Sequence, residues 1–556
     1  MRNRDGLHGS RGRVKPVLAW LLALLVPWGA VCAADRARPN IVVLLADDWG
    51  FTDVGAFGGE MDTPHLDSLA RNGARFSNFH VTASCSPTRS MLLTGVDNHR
   101  NGVGNMRETI PQSHMGKPGY LSVLDTNVVT VATLLRDAGY RTYVAGKWHV
   151  GKEPHNLPPQ RGFDRSLVQG DSGSDNWETA KRYLDLTDKV YWYEDGREAA
   201  MPAEFYSSQY YVDRMIDYLR TDTRRSQPFF AYLAFQANHI PVQAPKEFID
   251  RFKGRYDQGW HALRKARRDR AAALGIIPAD APMVEMKTTT DWNALTDAEK
   301  KYQARRMEVY AGMAEAMDHH VGRLMEFLRS TGEFDNTVFV FLSDNGAEGH
   351  DLNDFPEFRN WAAKFDQRLE RMGRAGSFTW YGPQWAEAGT APSRLYKGFP
   401  TEGGIHVPAF IWSAGQQAHG INRSLVSAMD VVPTLLDLAG VASGGDEFHH
   451  HKVHPIEGRT LRPVLTSTAQ AVRGENDSLG WELFGRSAVR IGQWKAVQLA
   501  QVPHAPRWEL YDLTQDPAEM HDLSAARPQQ ARELLDVWDR YVKDNHVILP
   551  NEVSGY

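Results

Sequence analysis

Residues Asn40-Ile41-Val42-Val43-Leu44-Leu45-Ala46 form a nearly unbroken apolar run, rich in β-branched side chains, that stops on two adjacent carboxylates, Asp47-Asp48. A half-exposed strand alternates polar and apolar residues. An unbroken run instead reads as a strand buried on both faces, which calls for a parallel sheet with helices on either side. Further strand patterns lie at residues 141–145, 229–235, 337–342 and 407–412, and helical patterns at 64–72, 128–138, 209–220, 301–330 and 424–439. This alternation predicts an α/β fold, a doubly wound, mostly parallel sheet over residues 40–439. From about residue 455 the character changes. Short strands at 487–498 and 508–513 and a helix at 529–543 predict a smaller C-terminal α+β subdomain. Residues 246–295 read as a largely helical insertion, and its basic run 264–270 as a solvated helix face.

The first 34 residues differ from the rest. Arg2, Arg4, Arg11, Arg13 and Lys15 precede a short apolar run at 17–26, followed by Pro27 and by Cys32-Ala33-Ala34. This is the pattern of a Sec signal peptide cleaved near Ala34. The apolar run is short for a membrane span, and Pro27 breaks it, so no stable membrane insertion is expected. The expected organisation is a signal peptide (1–34), a catalytic α/β domain (35–454) and the C-terminal subdomain (455–556), in an exported, periplasmic protein. The whole chain of 556 residues carries a formal charge of −5. Residues 1–34 are net basic, so the remainder is more acidic still and nucleic acid is not an expected partner. An anionic substrate would need a local cationic cluster.

Without the leader one cysteine is left, Cys85, in Cys85-Ser86-Pro87-Thr88-Arg89. A lone cysteine is either a small packing residue or a chemical one. Its polar neighbours favour chemistry, and the pattern Ser90-Met91-Leu92-Leu93 places the sulfur at a helix N-terminus, where a thiol is activated and an anion is welcome. Asp47-Asp48 and Ser343-Asp344-Asn345-Gly346 both close strands. Alone, either pair could be a helix N-cap. Together, four oxygen donors without paired His or Cys suit a hard divalent cation, Ca²⁺ or Mg²⁺, rather than zinc. Lys147 and His149 (in Lys147-Trp148-His149) and His239 (in Asn238-His239-Ile240-Pro241) follow two further strands, and Lys397 precedes Glu402-Gly403-Gly404. With Arg89 they would ring a tetrahedral oxyanion. No Gly-x-Ser-x-Gly elbow, P-loop or zincin motif is present. His449-His450-His451 with His454 has no regular ligand spacing and reads as an exposed loop.

Cys85-Ser86-Pro87-Thr88-Arg89 with Leu93-Thr94-Gly95 resembles the signature of the formylglycine-dependent sulfatases. Asn40…Asp47-Asp48, Thr63-Pro64-His65-Leu66-Asp67, Gly146-Lys147-Trp148-His149, Ser343-Asp344-Asn345-Gly346 and Lys397…Glu402-Gly403-Gly404 resemble further blocks of that family, in its order. The helical insertion and Val96-Asp97-Asn98-His99 lean toward its bacterial arylsulfatases. The resemblance implies an alkaline-phosphatase-like fold and hydrolysis of sulfate esters, aryl sulfates foremost, with a small-molecule sulfate ester as the binding partner. It implies that a formylglycine-generating enzyme converts Cys85 before or during export. One hydroxyl of the hydrated aldehyde attacks sulfur, and the other drives release of sulfate. It implies one Ca²⁺ held by Asp47, Asp48, Asp344 and Asn345 with residue 85 close by. Arg89 and Lys147 would orient residue 85, His149 would be the base for sulfate release, and His239 and Lys397 would grip the sulfate and assist the leaving oxygen.

A phosphonate monoester or phosphodiester hydrolase on the same scaffold is the alternative. A two-zinc phosphatase is disfavoured by Asn345, and a sulfate-binding protein that never receives its aldehyde is the non-enzymatic alternative. Two positions depart from the family pattern. His406 stands where arginine is common, and Trp49 replaces a commoner aliphatic residue beside the acidic pair.

Overall fold

A computed structural model describes residues 38–178, 182, 187–284, 290–499 and 507–550. The leader expected at 1–34 lies outside them. The apolar run is strand β1 (Asn40–Ala46), buried at every position. With β2 (Ala74–Phe76), β3 (Arg141–Lys147), β4 (Arg165–Gln169), β5 (Trp192–Glu194), β6 (Arg197–Glu198), β7 (Phe229–Ala234), β8 (Thr337–Ser343), β9 (Ala409–Ser413) and β10 (Gly420–Asn422) it builds a ten-stranded sheet, in the order β10-β2-β9-β8-β1-β7-β3-β4-β5-β6. The five central strands, β8 to β4, are parallel. The mixed character comes from the flanks, where β9 runs antiparallel to both β8 and β2.

Alternate residues of β1 sort into two cores, as a strand buried on both faces must. Val42, Leu44 and Ala46 join the helices α1 (Pro64–Arg71), α4 (Ser207–Thr221), α5 (Gly259–Ala273) and α6 (Asp297–Ser330). Ile41, Val43 and Leu45 join α2 (Cys85–Thr94), α3 (Val131–Asp137) and α7 (Val431–Leu438) on the other face. Each fully buried aliphatic side chain contributes about 1.5–3 kcal/mol, so this one strand fixes both layers. No helix among the described residues is long and apolar enough to cross a membrane.

Local chemistry moves several boundaries from where periodicity puts them. α3 begins at Val131 rather than 128 because the Thr130 side chain accepts from Thr133 N–H and caps the helix there. α6 begins before 301 because Thr296 and Glu299 form a capping box. The helix expected from 424 starts only at Val431. Ahead of it Val426–Ser427 pairs as a short strand, and Ser427 caps a single 3-10 turn.

The basic run at 264–270 corrects the expectation of a solvated face. Arg264 and Arg267 are buried. Arg264 donates to the carbonyls of Glu387, Pro392 and Ser393, and Arg267 pairs with Asp53 and, at 2.7 Å, with Glu60. His449 and His450 form the exposed turn of a two-stranded hairpin.

The C-terminal residues form an antiparallel sheet of β11 (Ser478–Leu483), β12 (Arg486–Ile491), β13 (Trp494–Gln498) and β14 (Trp508–Asp512). Helix α8 (Pro528–Asp544) covers one face through Leu534 and Trp538. The other face, with Trp481, Leu483 and Val497, packs on Ala83, Met106 and Ile405. Trp481 Nε1 donates to Val81 O at 2.9 Å. The small sheet thus braces the segment that leads into residue 85.

Candidate active site

The site lies at the C-terminal ends of the parallel strands, where the backbone leaves the ladder and side chains are free to converge. β1 delivers Asp47 and Asp48, β8 delivers Asp344 and Asn345, β3 delivers Lys147 and His149, and the segment after β7 delivers His239. The chain holds these ends together through its backbone. Asp47 N–H donates to Ala237 O at 2.9 Å, and Asp344 N–H to Ala46 O at 3.2 Å. Asp48 and His149 both adopt left-handed φ, 64° and 56°, a conformation that costs a non-glycine residue about 1–2 kcal/mol and clusters at functional sites.

α2 points its first turn at these carboxylates. Cys85 is buried, with Sγ 3.6 Å from Asp47 Oδ1. Oxygens of Asp47, Asp48 and Asp344 and the Cys85 sulfur all lie within 4.8 Å of one another. One turn on, Arg89 donates from Nε to Asp344 Oδ2 at 2.8 Å and from Nη1 to Lys147 O at 2.8 Å. Lys147 Nζ meets Asp47 Oδ2 at 2.7 Å. Lys397 Nζ meets Asp48 Oδ1 at 2.8 Å and Glu348 Oε2 at 3.1 Å. His239 donates from Nδ1 to Ile240 O at 2.6 Å, which turns Nε2 toward Asp48, 4.0 Å away. The structure therefore brings Asp47, Asp48, Asp344, Asn345, Arg89, Lys147, His239 and Lys397 together around residue 85, while His149 is tied to this group through its carbonyl, which accepts from Ser86 Oγ at 2.6 Å.

The electrostatics are those of an acid cluster short of positive charge. Burial, partly offset by Lys397 and reinforced by Asp47, pushes Asp48 up to about 7. Burial and Asp47 push Asp344 up as well. Of the three aspartates, Asp47 alone is held well below the usual range, because Lys147 and Arg89 outweigh its burial. Asn345 donates from Nδ2 to Asp48 Oδ1 at 2.7 Å, while its Oδ1 is buried without a hydrogen-bond partner among the described residues. An orphaned carbonyl oxygen beside under-neutralised carboxylates fits a hard cation.

The thiol reading needs correction. Burial pushes the Cys85 thiol far up despite Lys147 and Lys397, so the helix N-terminus does not make it a nucleophile as it stands.

Two acidic residues of the site were missed in the sequence. Glu348 holds Lys397 and pairs with His350 Nδ1 at 2.5 Å. Glu108 meets His149 Nε2 at 3.2 Å. Glu348 follows the Ser343–Gly346 block closely enough to have been noticed, whereas nothing around Glu108 marks it. The two departures from the family pattern are structural supports. Trp49 is buried and donates to Ala237 O at 3.2 Å. His406 stacks on Phe51, ring centroids 3.9 Å apart, and bonds Ser77 O at 3.0 Å.

Comparison with known proteins finds relatives over most of the chain. The model of one protein family, described as Sulfatase, matches residues 39–441. A Schizosaccharomyces pombe (strain 972 / ATCC 24843) protein described as an uncharacterized sulfatase is 41% identical over 530 residues, 93% of this chain and 95% of its own. An arylsulfatase of Klebsiella aerogenes is 40% identical over 467 residues, 83% of this chain and 99% of its own. Among solved structures, Ps i-CgsB in complex with k-i-k-neocarrahexaose has a TM-score of 0.65 at 24% identity, over 91% of this chain and 93% of its own. BT4656 in complex with D-glucosamine-2-N,6-O-disulfate has a TM-score of 0.60 at 21% identity, over 92% and 98%. These two likenesses concern the fold.

Proposed function

This chain belongs to the sulfatase family, a family of sulfate-ester hydrolases, and on that premise we propose that it cleaves aryl sulfates with residue 85, matured to formylglycine, beside a Ca²⁺ ion. The observation that carries the proposal is the approach of Cys85 Sγ to within 3.6 Å of Asp47 in a buried cluster whose Asn345 Oδ1 has no hydrogen-bond partner among the described residues. The aryl preference is supported by the 40% identity to the Klebsiella aerogenes arylsulfatase.

Asp47, Asp48, Asp344 and Asn345 would hold the cation, which supplies positive charge for a sulfate oxygen and favours an ionised hydroxyl at residue 85. A hydrated formylglycine supplies two hydroxyls on one carbon, so that the second can release what the first has taken up. The remaining work falls to the chain's own side chains. Arg89, fixed by Asp344 and the Lys147 carbonyl, and Lys147, fixed by Asp47, position residue 85 and screen its charge. Lys397 and His239 flank Asp48, where they would bind the oxygens of the substrate's sulfate group. His239 Nε2, turned toward Asp48 because Nδ1 donates to Ile240 O, would hydrogen-bond the leaving oxygen. His149 accepts the proton from the hydroxyl of residue 85 when sulfate departs. Burial keeps bulk water from this cluster and strengthens each of these contacts.

Export through Sec and maturation by a formylglycine-generating enzyme are parts of the same proposal, carried by the leader and the Cys85–Arg89 motif. Periplasmic fractionation of expressing cells tests the first. Rates on 4-nitrophenyl sulfate and on a bis-nitrophenyl phosphodiester test the chemistry. The sulfate ester is expected to be the better substrate, and a clear phosphodiester preference would overturn the reading.

A further inference from the structure

We propose that Glu108 is a positioning residue for His149, holding its imidazole in the tautomer that leaves Nδ1 as the working nitrogen. The inference rests on the sulfate-ester reading for the role of His149, and on the following geometry for the rest. His149 Nε2 lies 3.2 and 3.3 Å from the two oxygens of Glu108. Despite burial, His149 holds the Glu108 carboxyl down at about 2. An ionised carboxylate only accepts, so the proton between them sits on Nε2. His149 Nδ1 is buried and has no hydrogen-bond partner among the described residues. The main chain of His149 is pinned separately. Ser86, the neighbour of residue 85, donates from Oγ to His149 O at 2.6 Å, which stabilises the left-handed φ there. Backbone anchor and ring anchor together leave Nδ1 uncommitted, on a residue whose carbonyl is held by the immediate neighbour of residue 85.

The charged groups around Glu108 are otherwise engaged. Lys147 pairs with Asp47, Lys152 with Asp171 at 2.9 Å, and Arg107 with Glu153. Glu108 does line a small cleft with Gln169, Asp171, Ser172, Gly173 and Lys189. Contact with the substrate is therefore the competing role, and kinetics separate the two. A positioning residue changes kcat through His149, while a substrate contact changes KM.

The test compares Glu108→Ala, Glu108→Gln, His149→Ala and the double variant Glu108→Ala/His149→Ala as matured enzymes on 4-nitrophenyl sulfate. Glu108→Ala is expected to lower kcat about 10–100-fold, as loss of a carboxylate that orients a histidine does elsewhere, with KM little changed. Glu108→Gln, whose amide oxygen still accepts from Nε2, should recover part of the loss. In the His149→Ala background, Glu108→Ala should cost almost nothing more. Losses that simply add, or a rise in KM at unchanged kcat, would overturn the proposal. A second readout needs no turnover. In ¹⁵N-histidine-labelled protein carrying unconverted Cys85, the His149 resonances, identified by their absence in His149→Gln, should report Nε2–H in the wild type and a tautomer mixture in Glu108→Ala. Identical spectra would also overturn it. A wild-type enzyme inert to every sulfate ester would sink the functional reading instead, and the spectra would still decide the tautomer.

Discussion

Arg89 Nη2 lies 2.6 Å from Asp344 Oδ2, tying the first turns of α2 to the end of β8. Both side chains are fully buried. The pair does two things at once: it partly offsets the charge of one carboxylate of the acid cluster, and it fixes the helix that presents residue 85. Breaking a buried pair leaves an uncompensated charge. Arg89→Ala should therefore destabilise the protein by about 3–5 kcal/mol in urea unfolding at fixed Ca²⁺, and Arg89→Lys by less. Wild-type stability in Arg89→Ala would refute this account of the pair.

The inserted helix α5 supports the site from below. Arg267 binds Asp53, and Tyr310 Oη donates to Asp53 Oδ2 at 2.7 Å while lying 3.2 Å from Asp48 O. Arg267→Ala leaves the buried Asp53 without its paired cation, while Glu60 keeps Arg270 at 3.3 Å and Tyr256 at 2.8 Å, and should cost roughly 3–5 kcal/mol, measurable by the same unfolding experiment. A loss below about 1 kcal/mol, the size of a surface pair, would restore the solvated-face reading of residues 264–270.

His99 links the chain after α2 to the C-terminal sheet. Its Nδ1 is 3.1 Å from Asp97 Oδ1 and its Nε2 3.2 Å from Glu482 Oε2, and hydrogen bonds to these two carboxylates outweigh burial and raise its pKa to about 9. A raised folded-state pKa gives stability that is complete below the unfolded value, about 6.5, and lost as pH climbs through the folded one. Unfolding free energy should fall by a few kcal/mol, roughly, between pH 6.5 and 9. His99→Gln should flatten that slope. An equal slope in both proteins would show that His99 is not its source.

The sheet and the acid pairs were legible because their signals are local. A strand buried on both faces must be apolar throughout, and β1 is; a carboxylate pair that closes such a strand stands out beside it. The signature around residue 85 is contiguous too. Contacts made by chain closure were not legible. Glu108 is 41 positions from His149. Lys495 of β13 reaches back to Glu402 at 2.7 Å across 93 positions. Arg267 looked solvated because its neighbours in sequence are charged, while its partners come from another part of the chain. The boundary of α3 moved for a related reason, since periodicity registers apolar faces and misses the hydroxyl of Thr130 that caps the helix.

Cation binding should be visible without catalysis. Calcium should raise the melting temperature of the chelator-stripped protein, by the equivalent of about 2.7 kcal/mol at a hundredfold excess over Kd. Asn345→Ala should blunt that gain, because it removes the orphaned Oδ1. A full calcium response in Asn345→Ala would exclude that oxygen as a ligand.

The most direct measurement is the mass of the tryptic peptide ending at Arg89 in an active preparation, taken alongside turnover of 4-nitrophenyl sulfate. The account expects an aldehyde in place of the Cys85 thiol, turnover that tracks the converted fraction, and a folded but inactive Cys85→Ala variant. Full turnover from protein whose residue 85 is entirely an unmodified thiol would contradict it.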